Sequence, residues 1–133
     1  MTEQKILYSI KKFELCKGRG YNLEAVLRVY HLNIKMLKFL SVRLLAVEHN
    51  DDVKPKHIVN QLVEQLNLNT SLKTTINKKN LKTLKPWLTK MDTFMKTLKH
   101  REPSNTKTLL AESEQILGIL KISVTKILIV DKK

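Results

Sequence analysis

The chain has 133 residues, and its 25 lysines and arginines outnumber its 12 aspartates and glutamates to give a net charge of +13. This length suits a single domain over residues 1–133, large enough to bury a core without disulfides or metals. Cys16 is the only cysteine, so no internal disulfide forms. Lysines interrupt the apolar runs at the N-terminus, and no run approaches the roughly 18 apolar residues of a membrane span. We therefore expect a cytoplasmic protein without membrane contacts.

The first half of the chain predicts two helices. The first covers residues 2 to about 16, and Gly18 or Gly20 ends it with a left-handed cap. The second follows an N-cap at Asn22 and runs from residue 23 to about residue 48. Helical spacing predicts the buried residues, which are Ile6, Leu7, Ile10 and Phe13 in the first helix and Leu23, Leu27, Tyr30, Ile34, Leu37, Ser41, Leu44 and Leu45 in the second.

The second half predicts four further helical segments. One begins at Pro55 and runs to about residue 68, and a short helix over residues 78–84 ends because Pro86 forbids its continuation. A regular stripe starts at Pro86, and Ser104 or Asn105 caps a last helix. Residues 122–130 contain enough β-branched side chains to allow a strand, but no second strand is present to pair with them, which favours helix. The predicted buried residues are Ile58, Val59, Leu62, Val63, Leu66, Trp87, Leu88, Met91, Phe94, Met95, Leu98, Leu109, Leu110, Ile116, Leu117, Leu120, Val124 and Ile127.

These segments predict an all-α, single-domain bundle of about five helices. Its core is expected to form one cluster containing Leu27, Tyr30, Ile34, Leu62, Trp87, Met91, Phe94, Leu117 and Leu120. The scarcity of glycine and proline, three residues of each, argues against a β-sandwich or barrel.

Positive charge is concentrated between Ser71 and Arg101, where nine basic residues accompany one acid, Asp92. A soluble helix surface usually mixes both signs, so this region favours an anionic partner. If the helix continues across Pro86, its lysines form a row beside the apolar stripe. We call Lys82, Lys85, Lys96 and Lys99 the lysine ridge. The predicted nucleic-acid-binding residues are Lys78, Lys79, Lys82, Lys85, Lys96, Lys99 and Arg101.

The sequence predicts no metal site and no cofactor. The four histidines, His31, His49, His57 and His100, have no partner at metal-ligand spacing. No pair of carboxylates suits general acid and base chemistry, and Gly18-Arg19-Gly20 lacks the third glycine of a dinucleotide-binding motif.

Three features of the layout resemble HEPN domains, the higher-eukaryote and prokaryote nucleotide-binding helical bundles. The long second helix carries Ala25 and an alternating run that ends near Glu48. The third helix opens with proline and histidine before its leucines. An aspartate and an aromatic residue then lead through an arginine–proline turn into the last helix. The residues that carry these two features are Lys54, Pro55, Lys56, His57, Val59, Leu62, Leu66, Met91, Asp92, Phe94, Lys99, His100, Arg101 and Pro103.

The resemblance covers residues 22–128 and implies a five-helix bundle that tends to homodimerise. It also implies RNA cleavage, or pairing with a nucleotidyltransferase partner, in a defence or toxin–antitoxin system. Arg43 and His49 have the R-x5-H spacing of the family's R-x4–6-H motif and would be its catalytic residues. Leu44 stands where the family usually has a polar residue after the arginine.

Three functions stay open at this stage. The protein could bind a nucleotide or the backbone of RNA or DNA through its lysines, with weak sequence preference. It could instead be a non-catalytic helical module that docks on an acidic protein. The third hypothesis is a ribonuclease that uses Arg43 and His49. The scarcity of arginines and exposed aromatic residues argues against base-specific reading and against stacking on single strands.

Overall fold

The computed structural model describes residues 2–46, 53–66, 68 and 75–131. Helices account for 84% of this part of the chain, which contains no strand, so the predicted all-α bundle is confirmed. In the same part of the chain, no helix has the length and apolar character needed to cross a membrane. The five helices are α1 (Glu3–Gly18), α2 (Asn22–Leu45), α3 (Pro55–Gln65), α4 (Lys78–Leu98) and α5 (Thr106–Asp131).

Helix α1 has the predicted ends. The Thr2 hydroxyl accepts a hydrogen bond from the Lys5 N–H at 3.2 Å, which caps the N-terminus. Gly20 has a φ of +79° just beyond the C-terminus, a conformation that glycine adopts without a steric penalty. The prediction that Leu7 is buried is wrong, because this side chain is 46% exposed. The buried stripe of α1 is narrow, and Leu7 lies beside it.

Helix α2 packs against α1, α3 and α5 and is the central helix of the bundle. It starts after Tyr21, so Asn22 is its first residue and not its cap, and it ends at Leu45 before the left-handed Ala46. Two members of the predicted stripe, Leu37 and Ser41, are buried as expected. The other members are only partly buried, namely Leu23, Leu27, Tyr30, Ile34, Leu44 and Leu45. The buried face lies to one side of the predicted stripe and consists of Ala25, Val26, Val29, Leu32, Asn33, Met36, Leu37, Leu40 and Ser41.

Helix α4 continues through Pro86, and the predicted break at this residue is wrong. Pro86 lies on the exposed side of the helix, where water can bond the backbone carbonyl that the missing N–H leaves without a partner. Leu84, Trp87 and Leu88 on either side of it are buried, and their burial holds the helix together across the proline. This continuity matters for function because lysines from both ends of α4 then lie on one continuous helix.

Replacing Pro86 with alanine is expected to raise the free energy of unfolding by at least about 1 kcal/mol. Proline is roughly 3 kcal/mol less favourable than alanine inside a helix, and its restriction of the unfolded chain offsets only part of this cost. Urea unfolding followed by circular dichroism measures the change. An unchanged or lower stability would mean that Pro86 does not strain the helix at this position.

One hydrophobic core joins all five helices. Helix α5 packs mainly on α2 and remains helical to Asp131, so its β-branched end is not a strand. Among the predicted core residues, Leu62, Trp87, Met91, Phe94, Leu117 and Leu120 are buried. The others, Leu27, Tyr30 and Ile34, pack against the core but are only partly buried. Helix α3 packs on α4, and this contact sets the position of the candidate site.

Candidate nucleic-acid interface

All four side chains of the lysine ridge are exposed. Lys82, Lys85 and Lys96 lie on the uninterrupted helix α4, and Lys99 is the residue that caps its C-terminus. At a rise of 1.5 Å per residue, the 17 steps from Lys82 to Lys99 span about 26 Å. Lys78 precedes Lys82 by one helical turn and is also exposed. Lys79 is exposed but, by helical spacing, projects from another side, and Arg101 lies in the turn after the helix. The ridge is therefore an extended row of positive charge along one helix.

A gap separates the two halves of the ridge, between Lys85 and Lys96. Asp92 lies in this gap, and its carboxylate is 3.7 Å from the Lys56 Nζ at the start of α3. Both partners are substantially exposed, so this ion pair contributes little to stability. Its importance is its position, because it shows that a lysine of α3 reaches the middle of the α4 row.

The beginning of α3 and the C-terminal half of α4 form a cleft of about 310 Å³. No acidic residue lies in the first turn of α3, whose amide groups carry the positive end of the helix dipole. Four lysines thus meet one carboxylate in this cleft. The lining residues are Lys54, Pro55, Lys56, Leu88, Asp92, Met95, Lys96 and Lys99.

Tyr30 of α2 connects this region to the core. Its ring centroid lies 5.9 Å from that of Trp87, and burial raises the pKa of its phenol. The negative charge of Asp92 raises the pKa further, because it disfavours the phenolate. Asp92 therefore acts on both Lys56 and Tyr30, which places α2, α3 and α4 around one polar region.

Lys90 of the basic segment does not join the ridge. Its Nζ is 2.8 Å from a carboxylate oxygen of Glu112 on α5, so its charge is directed to the other side of the helix. Lys73 lies outside the described residues.

Sequence reasoning missed the contribution of Lys54 and Lys56 to the cleft. Their signal is a pair of lysines around a proline at the first helical position, where the helix dipole adds to their charge. It also missed a second basic groove, of about 540 Å³, between α1 and α2. The groove is lined by Ser9, Lys12, Arg28, His31, Leu32, Ile34, Lys35 and Lys38. Its charges come from two helices, so no single window of sequence reveals their concentration.

The proposed catalytic pair is described only in part. Arg43 is exposed near the end of α2, with its guanidinium carbon 5.8 Å from the centroid of the Phe39 ring. His49 lies outside the described residues, so a catalytic role for the two residues stays a prediction. Among the described residues, no three His, Cys, Asp or Glu side chains are grouped so that they could hold a metal ion.

No protein-family model, curated protein or solved structure matches this chain. The resemblance to HEPN domains, with the homodimer and the nucleotidyltransferase partner that it implies, therefore stays a prediction.

Proposed function

We propose that the protein binds the sugar–phosphate backbone of nucleic acid through the lysine ridge and the adjoining cleft between α3 and α4. The observation that carries this proposal is the exposure of the ridge lysines along one unbroken helix, with Lys54 and Lys56 beside the gap between its halves. Binding through lysines to phosphates would depend strongly on salt and weakly on base sequence.

The shape of the charge favours nucleic acid over an acidic protein. The ridge is a row of about 26 Å, and a nucleic-acid strand is itself a row of regularly spaced negative charges. A protein interface usually surrounds its charges with a buried apolar centre. The apolar residues that line the cleft are Pro55, Leu88 and Met95, and Leu88 is only 2% exposed. Four lysines line the cleft beside them, so positive charge is its main feature.

Glutamine at all four ridge positions is expected to weaken binding to duplex DNA and to flatten the plot of log K against log salt by about 3.6, because each phosphate contact contributes roughly 0.9 to the slope. The loss should be similar for unrelated sequences, since a lysine senses phosphate charge and not base identity. Fluorescence anisotropy at several salt concentrations measures both quantities.

The matched control removes the same charge from other faces by replacing Lys11, Lys90, Lys107 and Lys121 with glutamine. Each of these lysines is exposed, and none lines the α3–α4 cleft or the α1–α2 groove. The control should change the slope clearly less than the ridge variant. Equal changes would show that only the net charge attracts DNA. An unaffected ridge variant would contradict the proposal and favour docking on an acidic protein.

A further inference from the structure

The groove between α1 and α2 has positive charge on both walls. Lys12 contributes from α1, whereas Arg28, Lys35 and Lys38 contribute from α2 with His31 between them. Arg28 donates two hydrogen bonds to Glu24, at 2.9 and 3.1 Å, which holds its guanidinium at one end of the groove. No acidic residue is among the residues that line it.

An exposed aromatic ring stands beside this groove. Tyr8 is 60% exposed, and the Lys12 Nζ lies 4.8 Å from the centroid of its ring. Lys12 occupies one face of the ring and also lines the groove, so Tyr8 is held at the edge of the basic surface. The exposed remainder of the ring is available to a flat ligand.

A second ring system lies on the α2 wall. His31 is exposed, and its ring meets that of Tyr30 edge-on at 5.5 Å between centroids. Exposed rings therefore accompany positive charge on both helices. A charged groove that follows the backbone, with rings on which bases stack, is the usual arrangement in proteins that bind single strands.

We propose that the α1–α2 groove binds single-stranded nucleic acid, with Tyr8 as a stacking surface for a base and Lys12 and Lys35 as phosphate contacts. The scarcity of aromatic residues in the sequence argues against stacking on single strands, but Tyr8 is exposed in the structure and supplies a ring for it. This inference rests on the proposed function for the nature of the ligand, but it concerns a separate surface that lacks the ridge lysines.

Stacking and charge have different experimental signatures. Replacing Tyr8 with leucine removes the ring without changing any charge, so affinity should fall while the salt dependence stays the same. Loss of one base–aromatic contact corresponds to about a 5- to 150-fold weaker affinity. Replacing Lys12 and Lys35 with glutamine should flatten the salt slope on a single strand by about 1.4, since each contact contributes roughly 0.7.

The probes are an oligothymidylate of about 16 nucleotides and a DNA duplex with the same number of phosphates. Tyr8→Leu should weaken binding to the oligothymidylate at least about 5-fold and leave the duplex unaffected, because paired bases cannot stack on the ring. The matched control is Tyr21→Leu. Tyr21 is 54% exposed, but it lies at the end of the α1–α2 hairpin in a depression that also contains Glu24 and Glu102.

Three results would overturn the inference. The first is an equal loss of affinity in the Tyr8→Leu and Tyr21→Leu variants, and the second is a Tyr8→Leu loss of affinity that is as large on the duplex as on the single strand. The third is unchanged single-strand affinity in both the Tyr8→Leu variant and the variant that lacks Lys12 and Lys35. If the ridge variant still flattens the salt slope in these cases, the proposed function stands without the groove. If the wild-type protein binds neither probe, both proposals fail. Circular dichroism of each variant separates a loss of binding from a loss of fold.

Discussion

Replacing Leu120 with alanine should lower the free energy of unfolding by about 2–5 kcal/mol, the range measured for leucine truncations that leave a cavity in a packed core. Leu120 is fully buried in the middle of α5 and belongs to the cluster that joins all five helices. Loss of its side chain removes apolar burial and leaves a space that the surrounding helices fill only in part. Equilibrium urea unfolding gives the change directly.

The control for this prediction is two residues away on the same helix. Ile122 is 60% exposed, so Ile122→Ala removes a similar number of atoms that are largely in water already. Its cost should stay within about 0.5 kcal/mol. A Leu120→Ala cost as small as that of the control would mean that α5 does not pack as the structure shows.

The helices could be predicted because apolar residues recur at helical spacing and capping residues stand near the helix ends. The face of a helix that is buried was harder to predict, and α2 shows why. Its sequence carries apolar residues around much of the circumference, so the strongest leucine and tyrosine spacing did not identify the most buried face. Val26, Val29 and Met36 are fully buried because three other helices surround α2. Which face that arrangement covers is a property of the assembled bundle.

Pro86 is the opposite case, in which a strong local rule gave a wrong prediction. Proline disfavours a helix interior by roughly 3 kcal/mol. Burial of a large apolar side chain contributes about 1.5–3 kcal/mol, and Leu84, Trp87 and Leu88 lie within two residues of the proline. Tertiary packing therefore outweighs the local penalty.

The candidate sites also divide into features of a single helix and features that depend on the tertiary fold. The lysine ridge could be predicted because its lysines recur at helical spacing within one segment. The cleft forms only because α3 brings Lys56 next to Asp92. The α1–α2 groove forms only because Lys12 of α1 faces residues 28–38 of α2. Such contacts between distant segments depend on the tertiary fold and leave no periodic signal in the chain.

A buried polar connection joins three helices through Ser113 of α5. Its hydroxyl accepts a hydrogen bond from the Trp87 Nε1–H at 2.9 Å, and its backbone carbonyl accepts one from the Asn33 Nδ2 at 3.2 Å. All three residues are buried, with exposed fractions of 0%, 3% and 0% for Asn33, Trp87 and Ser113. Buried polar groups that lose their partners are costly, so this connection fixes how α2, α4 and α5 meet.

Ser113→Ala is expected to destabilise the fold by about 1–3 kcal/mol, because the buried indole N–H of Trp87 loses its acceptor. The hydrogen bond from Asn33 should persist, since the carbonyl that accepts it belongs to the backbone. In a Trp87→Phe protein the same serine substitution should cost less, because phenylalanine has no N–H to leave without a partner. The difference between the two costs, obtained from urea unfolding of all four proteins, should be about 0.5–3 kcal/mol. Identical costs in the two backgrounds would show that the Trp87–Ser113 bond does not stabilise the bundle.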